Sequence, residues 1–123
     1  MRKCILVVDD TNTVRSLARF ALCKAGYEIL EAEDGLKGLE VLKKNVVHLI
    51  LLDLNMPNMG GFEMVEKIKM DIELKNIPIF MLTADHSPEC VQQGKQLGVM
   101  AWIIKPFVPD KLVDAVNKVL KKK

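Results

Sequence analysis

The sequence has no apolar run near the roughly 20 residues that a bilayer-spanning helix needs, which argues against membrane insertion. Its start, "MRKCILVVDD", joins basic residues to an apolar run, but that run is short and ends in two aspartates, unlike a secretory signal. Cysteine is sparse and scattered: Cys4, Cys23 and Cys90 form no Cys-x-x-Cys pair. This pattern argues against a disulfide framework or zinc site and suits reduced thiols in the cytoplasm. His48 and His86 lie far apart, with no second ligand at helical spacing. The glycines fall into neither a Gly-x-Gly-x-x-Gly pattern nor a P-loop, which disfavours nucleotide binding. Net charge is only +2, and part of the basic excess is the terminal Lys121-Lys122-Lys123, read as a solvated helix end or linker stub. No electrostatic footprint for nucleic acid or a membrane surface results. Internal repeats and low-complexity segments are also absent.

What remains is a chain of 123 residues, half of them hydrophobic and 28% charged. That length supports one domain, residues 1–123, with a substantial core. Short apolar runs alternate with helical patterns. Cys4–Val8, Leu49–Leu52, Ile79–Leu82 and Ala101–Ile104 are continuous apolar runs that predict strands buried on both faces. Glu28–Ala32 is more mixed and predicts an edge strand. Between them, Val14, Leu17, Ala18, Ala21, Leu22 and Ala25 recur at helical spacing, with Thr11 or Asn12 as cap and Gly26 as terminator. Leu36, Leu39 and Leu42 mark a second helix, and Phe62, Val65 and Ile68 a third. Ser87 and Pro88 open a fourth, whose polar body and Gly94 predict a loosely held element. Leu112, Ala115, Val116, Val119 and Leu120 mark the last, with Pro109 in its first turn. The alternation predicts an α/β doubly wound fold on a five-stranded parallel sheet. Of two plausible strand orders, the short chain favours 2-1-3-4-5.

The residue that follows each apolar run is polar. Asp9 and Asp10 follow Val8, Asp53 follows Leu52, Thr83 follows Leu82, and Lys105 follows Ile104. In an open parallel sheet these ends share one edge, and ligands bind where the strand order reverses. Asp9, Asp10 and Asp53 then converge, and three carboxylates together need protons or a cation. An all-oxygen set points to Mg²⁺, which takes one or two carboxylates with waters and often a phosphate. Lys105 and Thr83 would complete a site for a phosphoryl group, attacked by an aspartate. Each residue alone has an ordinary explanation as a helix cap, a turn former or an exposed lysine. Their conjunction at successive strand ends carries the argument.

The stretches "ILVVDDTNTVR", "LILLDLNMPNMGGFEMVEKIK", "IPIFMLTA" and "GVMAWIIKPF" closely resemble the receiver domain of two-component response regulators, over essentially the whole chain. The flavodoxin-like 2-1-3-4-5 order is that family's own, so the resemblance and the strand-order reading are not independent. The resemblance implies that Asp53 is the phosphoacceptor. It implies that Asp10 binds Mg²⁺ directly, with Asp9 acting through water and with Asp53 and the backbone carbonyl of Asn55 completing the protein ligands. Thr83 would be the switch hydroxyl and Lys105 the ion-pair partner, with a cis Lys105–Pro106 bond. Trp102 stands where the family carries its switch aromatic, more often tyrosine, phenylalanine or histidine. Gly60 stands where many members have aspartate. Asn55 and Asp85 occupy positions through which the family varies its dephosphorylation rate.

The implied function is a phosphorylation-activated switch, not an enzyme with a substrate of its own. A sensor histidine kinase or histidine phosphotransfer protein would donate the phosphoryl group. The face of the fourth helix, fifth strand and fifth helix would then bind a target protein, in chemotaxis signalling or a phosphorelay. No helix-turn-helix or catalytic segment follows Leu120, so a complete chain would act by protein binding, whereas a receiver cut from a larger regulator would have lost an output domain. A degenerate scaffold receiver is a further reading, which the intact set of site residues opposes. A Mg²⁺-dependent aspartyl-phosphate phosphatase is more distant. That class shows Asp-x-Asp at its nucleophile, where this chain has Asp53-Leu54-Asn55.

Overall fold

Runs of aliphatic residues with no polar face must be covered on both sides, and this chain covers them with helices. The computed structural model describes residues 2–121. Its strands are β1 (Cys4–Val8), β2 (Glu28–Ala32), β3 (Leu49–Leu52), β4 (Ile79–Thr83) and β5 (Ala101–Ile104). They alternate with α1 (Asn12–Lys24), α2 (Gly35–Lys44), α3 (Gly61–Lys69), α4 (Pro88–Leu97) and α5 (Pro109–Leu120). All pairings are parallel and the order is β2-β1-β3-β4-β5, as expected.

Strand periodicity divides the core into two layers. Leu6, Val8, Ile50, Leu52 and Met81 face one side, packed with Leu42 of α2 and with Met64, Val65 and Ile68 of α3. Ile5, Val7, Leu49, Leu51 and Phe80 face the other, packed with Ala18 and Leu22 of α1 and with Leu112 and Val116 of α5. Among the described residues, no helix is long and apolar enough to cross a membrane. Lys122 and Lys123 of the basic tail lie outside the described residues.

Several local expectations need correction. β4 runs one residue further, so Thr83 ends the strand rather than following it. β5 is not buried on both faces: order 2-1-3-4-5 makes it an edge, its first three residues are half-buried, and Ile104 is 46% exposed. Leu17 and Leu36 are about half exposed, off the contact strips of their helices. On α2 that strip includes Gly35 and Gly38, where an added Cβ would meet Met59 Cγ at 2.8 Å and Met64 Cε at 2.7 Å. Glycine lets α2 approach more closely than leucine would. Thr11 occupies the N-cap position of α1 without a side-chain cap bond. Ser87 does cap α4, accepting from the Cys90 N–H at 3.3 Å.

Candidate functional site

The parallel ladder continues one residue beyond several strands, and this aims the site. Asp9 N–H donates to Ala32 O at 3.1 Å, Asp53 N–H to Val8 O at 2.8 Å, and Lys105 N–H to Thr83 O at 3.0 Å. Each polar residue is therefore fixed by the neighbouring strand rather than by its own loop. Asp9 and Asp53 stand at the ends of β1 and β3, the point where strand order reverses.

The result is a crowded acidic edge. Ligand oxygens of Asp9, Asp10 and Asp53 lie within 4.8 Å of one another, with Asp9 and Asp53 buried and Asp10 exposed. Lys105 Nζ sits 2.7 Å from Asp9 Oδ2 and 3.4 Å from Asp53 Oδ1. One ammonium faces two buried carboxylates. Burial, and then the charge of Asp9, push the Asp53 carboxyl up to about 6, against the pull of Lys105. Burial works to lower the Lys105 pKa, but its hydrogen bond to Asp9 and the charges of Asp53 and Asp9 outweigh it, and the net direction is upward.

Asp9 Oδ1 accepts from the Thr11 N–H at 2.8 Å. Asp9 Oδ2 is fully buried and has no aligned hydrogen-bond donor among the described residues, although the Lys105 ammonium is close. A fully buried carboxylate oxygen whose facing ammonium is shared with a second carboxylate, within a set of three, fits a hard divalent cation. In its donor chemistry the acidic cluster could hold such an ion.

The remaining expected residues are placed around this edge. Thr83 is buried, and its Oγ1 accepts from the Asp85 N–H at 3.2 Å, a local backbone bond. Asn55 is exposed in the β3–α3 loop. Asp85 has its carboxylate committed to the start of α4: Oδ1 accepts from Ser87 N–H at 3.0 Å and Oδ2 from the Cys90 thiol at 3.2 Å. The Ser87 N–H, then the Cys90 thiol, hold the Asp85 carboxyl below its usual range. Trp102 is half-buried, its indole N–H donating to Asp85 O at 2.8 Å and its ring 6.3 Å from that of Phe62. The Lys105–Pro106 bond is cis.

The structure therefore gathers Asp9, Asp10, Asp53 and Lys105 in one cluster, and joins Thr83, Asp85 and Trp102 in a second hydrogen-bonded set beside it. Some supporting residues carried no legible signal in the sequence. Arg15 Nη1 donates to Asp9 O at 2.5 Å while its Nε pairs with Glu31 at 3.1 Å, a contact no local pattern announces. Gly61, at the start of α3, carries no separate signal in the sequence, whereas Gly94 lies inside a helical pattern. A Cβ on Gly61 would lie 2.5 Å from Asp53 O, and one on Gly94 would lie 2.5 Å from Trp102 Cζ3. A glycine inside a helical pattern can mark such close approach as well as weak propensity.

Comparison with known proteins agrees with the fold. The model of the response regulator receiver domain matches residues 5–117. The chemotaxis protein CheY-3 of Vibrio cholerae is 36% identical over 119 residues, spanning 96% of this chain and 92% of the relative. Sporulation initiation phosphotransferase F of Bacillus subtilis is 36% identical over 120 residues, spanning 98% and 95%. A crystal structure of Vibrio cholerae CheY4, grown at low pH, superposes with a TM-score of 0.93 at 39% identity, covering 98% of this chain and all of that one.

Proposed function

The chain belongs to the receiver-domain family of two-component response regulators, and from that premise we propose that residues 1–123 form one receiver switched by phosphorylation of Asp53. The observation that carries this reading is the buried Asp53 carboxylate, which meets Lys105 at 3.4 Å and shares the strand-end edge with Asp9 and Asp10. A phosphohistidine of a sensor kinase or phosphotransfer protein supplies the group. An Asp53 oxygen attacks phosphorus, the P–N bond breaks, and the imidazole leaves with its electron pair. A carboxyl poised near 6 is largely ionised at neutral pH and so nucleophilic. Lys105 is placed to balance the new negative charge. Asp10, Asp9, Asp53 and the Asn55 carbonyl are the groups we assign to Mg²⁺, which when bound supplies positive charge to the phosphoryl oxygens.

The response side follows from the second hydrogen-bonded set. Turning the Thr83 hydroxyl toward the phosphoryl group would give up its bond from the Asp85 N–H. Asp85 in turn holds Trp102 through its carbonyl and α4 through its carboxylate. The α4–β5–α5 face would repack and bind a downstream protein. Asn55 and Asp85 are the positions we assign to phosphoryl lifetime. The chain acts on itself alone, assisting its own phosphorylation and dephosphorylation. Free thiols at Cys4, Cys23 and Cys90 suit the cytoplasm. The relatives' names divide between chemotaxis and sporulation phosphotransfer.

Incubation with acetyl phosphate, with and without Mg²⁺, followed by intact mass, peptide mapping and Trp102 fluorescence, tests the reading. A single Mg²⁺-dependent phosphoryl adduct on Asp53, lost in Asp53→Ala, is expected. An adduct elsewhere, or one indifferent to Mg²⁺, would overturn it.

A further inference from the structure

Asp34 and Asn58 lie outside the carboxylate cluster, yet they connect the two loops beside it. Asp34 is the N-cap of α2, buried, with Oδ1 accepting from the Lys37 N–H at 2.9 Å. Its second oxygen, Oδ2, accepts from Asn58 Nδ2 at 2.7 Å. Asn58 is the one non-glycine residue with positive φ among those described, at 68°. Asparagine and glycine tolerate that backbone where most side chains do not. The β3–α3 loop is fastened at its far end, where Gly61 N–H donates to Leu54 O at 2.8 Å and Met59 is buried against Gly35. Asn55 and Pro57, between those anchors, are exposed. Half-buried Met56 packs this stretch against the core, and the Asn58 amide adds a side-chain hydrogen bond that ties it to α2.

Building on the function proposed above, we infer that the Asp34–Asn58 pair positions the loop that presents the Asn55 carbonyl, and so sets Mg²⁺ affinity without touching the metal. Three features support it. An amide-to-carboxylate bond of 2.7 Å is charge-assisted and orients both groups. The carboxylate is itself anchored by a helix N-terminus, so the loop is tied to a rigid element rather than to another loop. Asn58 also stands only three residues beyond Asn55, so little chain separates the tie from the carbonyl it would orient.

The test is a Mg²⁺ titration followed by two-dimensional amide NMR, which also reports whether each variant keeps its fold. Asn58→Gly keeps the positive-φ backbone accessible and removes the amide, but it also loosens the backbone, so the donor–acceptor exchange below isolates the hydrogen bond. Asn58→Gly should weaken Mg²⁺ binding about tenfold, the low end of what losing an outer-shell partner costs. Its acetyl-phosphate rate at saturating Mg²⁺ should stay within about twofold of wild type. Asn58→Asp, which sets two carboxylates face to face, should weaken binding further. The exchange Asp34→Asn with Asn58→Asp reverses donor and acceptor and should restore affinity. Unchanged affinity in Asn58→Gly overturns the inference, as does an exchange no better than Asn58→Asp alone. Wild type that binds no Mg²⁺ removes the proposed function itself, and the inference with it.

Discussion

The two ends of the site are built differently. Around Asp9 and Asp53 the sheet is closed: β1 and β3 are buried along their whole length, most of their residues fully. Each fully buried aliphatic there contributes about 1.5–3 kcal/mol, so the reaction edge has little freedom to move. On the α4–β5 side, α4 buries only Gly94, and β5 grades from half-buried to exposed. β5 is paired on one side only, with β4, and the start of α4 is tied by single side-chain bonds: Ser87 to Cys90, Asp85 to Cys90, and Trp102 to Asp85. The contrast separates two tasks. The reaction edge holds charges that repel one another and needs a stiff frame to keep them together. The response side needs two arrangements of similar free energy, so it is held by few and breakable contacts.

The largest expected effects come from the stiff end, with opposite signs. Asp53→Asn should abolish the phosphoryl adduct and yet stabilise the fold by on the order of 2–3 kcal/mol at pH 7, because the native state holds this carboxyl near 6. The sign follows from proton binding. Between the ordinary carboxylate pKa near 4 and the native value near 6, the folded wild type holds more protons than the unfolded chain. Its stability relative to Asp53→Asn therefore falls as pH rises through that window, and the two converge below about pH 4. Urea denaturation across pH 4 to 8 reads this directly, and a variant with no gain at pH 7 would mean that Asp53 is not strained. Lys105→Met should instead destabilise by about 3–5 kcal/mol, because it leaves buried Asp9 without its counter-charge. If both variants moved stability the same way, the picture of one ammonium shared between two repelling carboxylates would be wrong.

The stiff end was also the legible end. Apolar runs ending in Asp9, Asp53 and Lys105 carry strand identity and site chemistry in the same few residues, so one reading yielded both. The response side was legible only as a list of candidates. Burial on both faces was expected of Ala101–Ile104 because an apolar run looks the same in a central strand and at an edge; the strand order, not the run, decides. Gly94 read as a propensity cost because its contact, Trp102, lies eight residues away on another element. Leu36 carried the helical spacing of α2 but is half exposed, because α2 packs through Gly35, Gly38 and Leu42, its glycines lying against Met59, Met64 and Val8. In each case the missing information was a distance between elements, which periodicity within one element does not contain.

A smaller effect tests the loose end. Gly94→Val places a side chain where Trp102 Cζ3 already lies, within 2.5 Å of the new Cβ. Such overpacking ordinarily costs about 1–3 kcal/mol. Here α4 can shift, because little of it is buried, so a loss of about 1 kcal/mol is expected. Trp102 fluorescence should change even without phosphorylation, while the rate of Asp53 phosphorylation stays within about twofold. A loss comparable to that of Lys105→Met would show that the α4 side is as stiff as the reaction edge.

The smallest effects divide the two ends at neighbouring positions. Asn55 and Asp85 each stand two residues beyond a site residue, Asp53 and Thr83. Asn55 is exposed beside the reaction edge, whereas the Asp85 carboxylate is spent on Ser87 and Cys90 at the start of α4. Both Asn55→Ala and Asp85→Ala should change the decay of the phosphoryl adduct by a factor of a few. Only Asp85→Ala should also shift Trp102 fluorescence in the unphosphorylated protein, since it releases the segment whose carbonyl holds the indole. Decay followed by intact mass, with fluorescence on the same samples, separates the two. Identical behaviour in both readouts would mean that reaction edge and response face move together, and that the difference in packing does not divide their roles.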